Sequence, residues 1–233
     1  LKKNKKKYLC IIPARGGSKR VPNKNIIDFG GFPLIYYSIN AAKKSGVFDD
    51  IIVSTDSKKI QKIAQKYGAE VPFLRPKKLS KNESLVEDAV FYLLKYLEKE
   101  GRVYDYICLS QCSTPLVISE DFQNACSILN KKKANMVISV TKTPFNINWT
   151  STLGKDLSME NFSNCYATFS QQFEQTYILN GAIYFGENEI FYNKENYYSK
   201  KSFAYIMPNE RSIDIDTHED IKKAEYFLKL RKN

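Results

Sequence analysis

The sequence predicts an α/β fold built on a mostly parallel sheet with helices on both faces. Three observations carry this. Short apolar runs recur along the chain, at 8–12 (YLCII), 50–54 (DIIVS), 106–110 (YICLS) and 136–140 (MVISV). Their bare apolar character is that of strands buried on both faces. Segments of helical periodicity lie between them, and such alternation is the signature of a parallel sheet with crossover helices.

The elements follow in order. The run at 8–12 is the first strand, and 50–54 the next. Ile60, Ile63, Ala64 and Tyr67 then line one helical face before Gly68, a helix stop. Val86, Val90, Leu93, Leu94 and Leu97 form a second such face ahead of the strand at 106–110. After the strand at 136–140 the pattern breaks. Residues 142–175 are polar and aromatic (TPFNINW, SNCYATFSQQF), which suggests an irregular or antiparallel insertion acting as a lid or dimer arm. Regular pattern returns at 177–185 and 203–208. Ile221, Ala224, Phe227 and Leu228 give the apolar face of a closing helix.

Composition bounds the function. The 233 residues suit one α/β domain, here 8–233, able to bury a core without disulfides. The formal charge is +11, of which Lys2, Lys3, Lys5, Lys6 and Lys7 supply five. Residues 1–7 are expected to be a solvated, disordered tail. The remaining positive charge suits an anionic ligand. Nucleic acid is not expected, because no basic helix, zinc-finger spacing or RNA-binding signature accompanies the charge. The five cysteines include no C-x-x-C pair, and Cys10 and Cys108 sit in apolar runs as reduced core residues. No apolar stretch is long enough for a signal-peptide core or a membrane span, so a cytoplasmic protein without membrane contact is expected.

The first strand leads into IIPARGGSKRVPNKN at 11–25, where Arg15, Lys19, Arg20 and Lys24 surround Gly16 and Gly17. Glycines allow close backbone approach and positive φ, and clustered bases call for an anion. The loop matches neither G-x-x-x-x-G-K-[ST] nor G-x-G-x-x-G. It reads as a phosphate cradle at the carboxyl end of a strand, with the Gly16 and Gly17 N–H groups offered to phosphate oxygens and Lys19 and Lys24 neutralising a polyphosphate.

IDID at 213–216 places Asp214 and Asp216 on one face of a strand, with Ile213 and Ile215 opposite. Two adjacent carboxylates need a cation, and Mg²⁺ suits a carboxylate pair plus substrate phosphates. Asp216 has a compatible second role as N-cap of the last helix, with Glu219 completing a capping box. His218, the single histidine, reads as a solvated first-turn residue. LSQCSTPL at 109–116 follows a strand, where Gln111 and Ser113 can read a base or a sugar. Asn180 and Gly181 of LNGAIYF precede an apolar strand, with Gly181 placed for a turn or a close approach.

Taken together, IIPARGGSKRVPNKN, IIVSTDS, SQCSTPL, LNGAIYF and IDIDTHEDIKKAE resemble, in this order and over nearly the whole chain, the acylneuraminate cytidylyltransferases, or CMP-sialic acid synthetases. The resemblance implies a Rossmann-like nucleotidyltransferase domain with a dimerising insertion at 142–175. It implies coupling of CTP to a nine-carbon keto-sugar acid, in which the anomeric hydroxyl attacks the α-phosphorus and pyrophosphate leaves. It assigns Arg15, Gly16, Gly17, Ser18, Lys19 and Lys24 to CTP, with Arg75 and Ser80 near the cytosine. Gln111, Asn180 and Gly181 fall to the sugar. Asp214 and Asp216 fall to Mg²⁺, with Mn²⁺ as a substitute. Arg15, Lys19 and Asp216 are the residues implied in catalysis.

The implied assembly is a homodimer, with the arm reaching the neighbour's sugar pocket. The chain departs from the resembling pattern at Cys112, where a proline is common, and at Val117 and Ser170, where arginines are common. Asn82 stands in place of an aspartate. The expected acceptor is a sialic-acid-like nonulosonic acid of the N-acetylneuraminic or legionaminic type, with the legionaminic type preferred. Pseudaminic- and octulosonic-acid cytidylyltransferases are the alternatives, and a nucleotide-binding regulator is the non-enzymatic one.

Overall fold

Leu9, Cys10, Ile11 and Ile12 are all shut away from water, as a strand covered on both faces requires. They form most of β1 (Tyr8–Pro13), an interior strand in the computed structural model, which describes residues 5–81, 83–145, 147–162, 174–193 and 196–232. The other sheet strands are β4 (Asp50–Ser54), β5 (Tyr106–Leu109), β6 (Met136–Lys142), β7 (Tyr177–Glu187) and β8 (Ser202–Ile206), in spatial order β4-β1-β5-β7-β6-β8. A hairpin of β2 (Asp28–Phe29) and β3 (Phe32–Pro33) stands apart. The pairs β1–β4, β1–β5 and β6–β8 are parallel. The exception is β7, which runs antiparallel to both β5 and β6.

Alternate residues of β1 feed two cores. Cys10 and Ile12 pack with α1 (Ile35–Ser45), α2 (Lys58–Lys66) and α4 (Ser119–Lys131), through Ile39, Ile60 and Phe122 among others. Leu9 and Ile11 pack on the other face with α3 (Val86–Lys99) and α5 (Asn188–Asn193), through Val90, Leu93, Leu97 and Phe191. A third cluster joins Phe29, Leu34, Ile213 and Ile215 to α6 (His218–Lys232) through Ile221, Ala224 and Leu228. This cluster matters most for the site, because it ties the loop after β1 to the segment carrying Asp214 and Asp216.

Three expectations are corrected. The 213–216 segment is extended but belongs to no strand; the Ile215 N–H donates to the Ser113 carbonyl at 2.8 Å. Burial of Ile213 and Ile215 still sets the alternation, so both aspartates face outward. The cap of α6 is not Asp216 with Glu219 but Thr217 with Asp220. The Asp220 N–H donates to Thr217 Oγ1 at 3.3 Å, and the Asp220 carboxylate accepts the Thr217 N–H at 2.8 Å. Of the basic tail, Lys5–Lys7 lie against the body: the Lys7 N–H donates to Asp105 at 2.7 Å and the Lys6 ammonium to the Tyr106 hydroxyl at 2.7 Å. Most of the aromatic run of the insertion, with Ser170, lies outside the described residues, as does Asn82.

Candidate active site

The chain order of the strands reverses direction between β1 and β5: β4 lies on one side of β1 and β5 on the other. In open α/β sheets, ligands bind beyond the carboxyl ends of the strands at such a point. A cleft of about 300 Å³ opens here, with Pro13, Arg15, Ser18, Lys24 and Asn25 from the loop after β1 and Gln111, Cys112 and Ser113 from the loop after β5. Arg75, Lys81, Ser84, Leu85 and Val86 close its far wall. Arg15, Ser18, Lys24, Arg75 and Gln111 were expected at a ligand from the sequence. Asn25, Lys81 and the 84–86 stretch were not.

The loop after β1 is held by groups of its own chain. Asp56, just beyond β4, accepts the Gly16 N–H at 2.8 Å. That amide is therefore engaged, against the expectation that it is offered to phosphate. Gly16 earns its place by proximity instead, since a Cβ there would lie 3.1 Å from Ser57 Cβ. Neither Gly16 nor Gly17 has positive φ, while Asn23 does, at 55°. Gly17 is exposed with open space where a Cβ would project, and Lys19 and Arg20 are exposed beside it. The buried Asn25 amide donates to the Arg15 carbonyl at 2.8 Å, and Arg15 Nη1 donates to the Lys81 carbonyl at 3.0 Å.

Lys24 connects this loop to the aspartate segment. Its ammonium donates to the Ile215 carbonyl at 2.5 Å and to Asp216 Oδ1 at 3.2 Å, and Arg20 meets the same carboxylate oxygen at 2.8 Å. Asp214 touches water on one side, while protein packs around the rest of it. Burial pushes its carboxyl above the usual range, and Asp216 and Asp220 add to this; Ser113 and Lys24 oppose it. Among the described residues no group of three or more His, Cys, Asp or Glu is placed to hold a metal alone. Two carboxylates beside a cluster of bases fit an ion of the Mg²⁺ type, which takes its other ligands from substrate phosphates and water.

Arg75 is almost fully buried, and burial pulls its guanidinium down from its ordinary value, with Asp56 opposing. Its Nε donates to Ser80 Oγ at 3.1 Å. Ser80 thus aims Arg75 and does not itself line the cleft.

The two residues expected at the sugar part ways. Gly181, at φ +72°, lies at the end of the Gln111 side chain: its Cβ would stand 3.5 Å from Gln111 Oε1. A side chain here would be strained in backbone as well as in space. Asn180 is turned inward and engaged throughout. Its Oδ1 accepts Ser139 Oγ at 2.6 Å and the Ala182 N–H at 3.2 Å, and its Nδ2 donates to Ser212 Oγ at 2.9 Å. It pins an irregularity in the β6–β7 pairing between Ile138 and Val140, where Ser139 Oγ also accepts the Ile183 N–H at 2.8 Å. Asn180 is thereby a brace between Gly181 and the 212–216 segment, and the structure does not bring its side chain to the cleft.

A second cleft of about 550 Å³ adjoins the first, sharing Ser84, Leu85, Val86 and Gln111 with it. Its own walls are Glu87, Leu109, Tyr184, Tyr197 and Tyr198. The Tyr184 and Tyr197 rings stand 5.9 Å apart. Burial pushes both phenols up, and the Glu87 charge adds to each. The signal that could have found this wall was the tyrosine-rich stretch after LNGAIYF. Val117, the position of a common arginine in the resembling pattern, is buried in the core and faces neither cleft.

A basic cleft joined to an aromatic one that carries Glu87, with Lys24 linking the first to the aspartate segment, can hold a polyanion beside a polar organic molecule. Similarity to known proteins agrees. The sequence pattern of the cytidylyltransferase family matches residues 9–232. A pseudaminic acid cytidylyltransferase of Campylobacter jejuni is 35% identical over 225 residues, covering 96% of this chain and 97% of that protein. A CMP-N,N'-diacetyllegionaminic acid synthase of Legionella pneumophila is 32% identical over 228 residues, with 96% and 97% covered. In fold, the chain is similar to a CMP:2-keto-3-deoxy-manno-octonic acid synthetase complexed with CTP, at a TM-score of 0.69 and 15% identity, covering 97% of this chain and 99% of that one. With nearly its whole length matched in sequence, and with a cleft at the switch point of its sheet, this chain belongs to the cytidylyltransferase family.

Proposed function

We propose that this cytidylyltransferase moves the CMP unit of CTP to the anomeric hydroxyl of a nonulosonic acid and releases pyrophosphate. The observation that carries the reading is the pair of joined clefts, one basic and one aromatic, meeting at Gln111. The hydroxyl oxygen forms the new bond to the α-phosphorus as the bond from phosphorus to the bridging oxygen of pyrophosphate breaks. The hydroxyl proton passes to Asp216 or to water.

Phosphoryl-type transfer is mainly positioning and charge stabilisation. Arg15, Lys19 and Lys24 meet the triphosphate, with Gly17 and Ser18 at the loop's open side. Arg20 and Lys24, now paired with Asp216, turn to phosphate oxygens. Arg75, aimed by Ser80, lies at the base. Asp214 and Asp216 would hold Mg²⁺ or Mn²⁺, which supplies charge neutralisation and lowers the pKa of a bound hydroxyl. Gln111 orients the acceptor against Gly181, and Asn180 acts behind it.

The second cleft bears on the acceptor class. Its tyrosines and Glu87 offer apolar ring faces and hydrogen-bond acceptors, and no cation. Acylamido groups suit such walls, and a carboxylate does not. The acceptor's carboxylate therefore faces the basic cleft, and its acylamido end faces the tyrosines. The reading is an acceptor of the pseudaminic or legionaminic type in preference to N-acetylneuraminic acid. Relatives named for each of the first two match at 35% and 32%, so similarity alone does not separate them. The test is pyrophosphate release with CTP, Mg²⁺ and a panel of keto-sugar acids in competition. Higher kcat/KM on N-acetylneuraminic acid would remove the acceptor preference, and no release with any of them would remove the activity.

A second copy of the chain completes the reading. The ribbon of β6 and β7 beyond the sheet exposes Tyr177, Ile178 and Leu179, and the arm exposes Phe145, Ile147, Trp149, Leu153, Leu157 and Met159. So many exposed large apolar side chains on one segment suit an interface, and a two-stranded ribbon is marginal alone. The occupant is the same face of a second protomer.

A further inference from the structure

Cys112 sits between two cleft residues, Gln111 and Ser113, yet it has no part in the chemistry above. We propose that it is a positioning residue for the nucleotide side of the cleft: its thiol fixes the Asn25 amide, which fixes the Arg15 carbonyl. This rests on the reading that the cleft takes CTP.

The geometry is a short chain of hydrogen bonds across two loops. Cys112 Sγ lies 2.9 Å from Asn25 Oδ1 and 3.6 Å from the Pro13 carbonyl. Asn25 Nδ2 donates to the Arg15 carbonyl at 2.8 Å. A carboxamide has two different ends. With its NH₂ committed to a carbonyl, its oxygen must face a donor, and the S–H is the donor placed there. The two constraints agree on one orientation of Asn25. Asn25 and Cys112 are 7% and 3% exposed, so water does not readily replace either bond.

Burial also pushes the Cys112 thiol up to about 12, so it remains S–H across the working range. It is a donor there and not a nucleophile. What it controls is direction. Arg15 begins the loop that carries Gly16 to Lys24, and the Arg15 carbonyl is the backbone point to which Asn25 ties that loop. A loop free to turn at Arg15 would still fold, but it would present its bases to a triphosphate in many orientations. Pre-set orientation is worth affinity.

The test is CTP binding by titration calorimetry, with steady-state KM for CTP and for the acceptor. Cys112→Ala removes the donor and leaves space, Cys112→Val removes it with a slightly larger side chain in its place, and Cys112→Ser restores an O–H. The expected result is CTP binding weakened about fivefold in the Ala and Val variants, because an orphaned buried acceptor is costly. The acceptor KM should change less than about twofold, since Gln111 is not touched. Cys112→Ser should return close to wild type. In an Asn25→Ala background, Cys112→Ala should add nothing, which a merely structural role would not predict.

Equal CTP affinity in wild type and the Val or Ala variant overturns the inference. So does an equal effect of Cys112→Ala with and without Asn25. Should Ala and Val both melt before assay, a Ser variant that folds yet binds CTP as weakly as Asn25→Ala overturns it too. Failure of the wild type itself to bind CTP is a separate result, which overturns the cytidylyltransferase reading of the cleft and this inference with it.

Discussion

The loop after β1 and the arm between β6 and β7 leave the sheet at the same edge, because β6 runs in the same sense as β1. They are finished to very different degrees. In the loop, Gly16 is tied to Asp56, Arg15 to Asn25, and Lys24 to Ile215 and Asp216, with Val21 buried beneath them. The arm also has hydrogen bonds, as between the Thr143 N–H and the Thr176 carbonyl at 3.0 Å and between Ser151 Oγ and the Asn161 carbonyl at 2.7 Å. Among its described residues the large apolar side chains lack such closure, and Leu157 is 72% exposed. Hydrogen bonds can be satisfied by near neighbours, whereas apolar burial needs bulk that a single arm lacks. One region is closed by its own chain, and the described part of the other leaves its apolar side chains exposed.

The largest effect should come from the aspartate segment to which Lys24 ties the loop. Asp214→Asn and Asp216→Asn should each lower kcat about a hundredfold or more, by loss of charge stabilisation in the transition state. EDTA should abolish turnover, and Mg²⁺ or Mn²⁺ should restore it. Asp216 is not the cap of α6, so Asp216→Asn should melt close to wild type by circular dichroism. A large drop in melting temperature, or turnover indifferent to EDTA, would break the separation of chemical from structural aspartates.

Next in size is Lys19→Ala. Its side chain is exposed at the open side of the loop, so its removal should leave folding unchanged and reduce kcat/KM for CTP by about 2–4 kcal/mol, the scale of a lost transition-state contact. Normal kinetics would mean that the tied residues Arg15 and Lys24 suffice. The arm should respond in the opposite way. Trp149→Ser with Leu157→Ser should shift the protein from dimer to monomer in light scattering, with little change in the sheet's own stability, since both residues are exposed in the single chain. A wild-type monomer at working concentration would sink the second-copy reading.

The same contrast explains what was legible in the sequence. The strands at β1, β4 and β5 could be read because burial on both faces forces a bare apolar run. The reversed direction of β7 could not, because direction is decided by pairing partners far along the chain. Asn180 was misplaced for that reason: Asn-Gly reads as a strand end, while here it lies within a strand, at a place where the pairing shifts. Val86 fits the α3 periodicity with Val90 and packs on the same core, but as the first residue of α3 it also lines the cleft. The bases and aspartates were legible by type, because charge that must meet an anion or a metal cannot be disguised. Which of them are tied to one another was not, since Lys24 and Asp216 meet across 192 positions.

The smallest effect concerns the cap that displaced Asp216. The Asp220 carboxylate accepts the Asp216 N–H at 3.0 Å, the Thr217 N–H at 2.8 Å and Thr217 Oγ1 at 2.9 Å. Burial alone would push its carboxyl up, but these hydrogen bonds outweigh burial and hold it below its usual value of 3.8. A carboxyl depressed in the folded state contributes stability above its unfolded value, and that contribution is lost as pH falls through the lower folded value. The group is largely solvated, so screening limits the effect to under about 1 kcal/mol. Asp220→Asn should therefore lower the melting temperature by about 2 °C at neutral pH. The gap to wild type should close as pH falls below the ordinary carboxylate range. Because Asp220 also holds the Asp216 backbone, a small loss of kcat should accompany the loss of stability. A temperature gap that persists undiminished into acid would show that the charge on Asp220 is not what caps α6, and that packing of Ile221 and Leu228 sets where the helix begins.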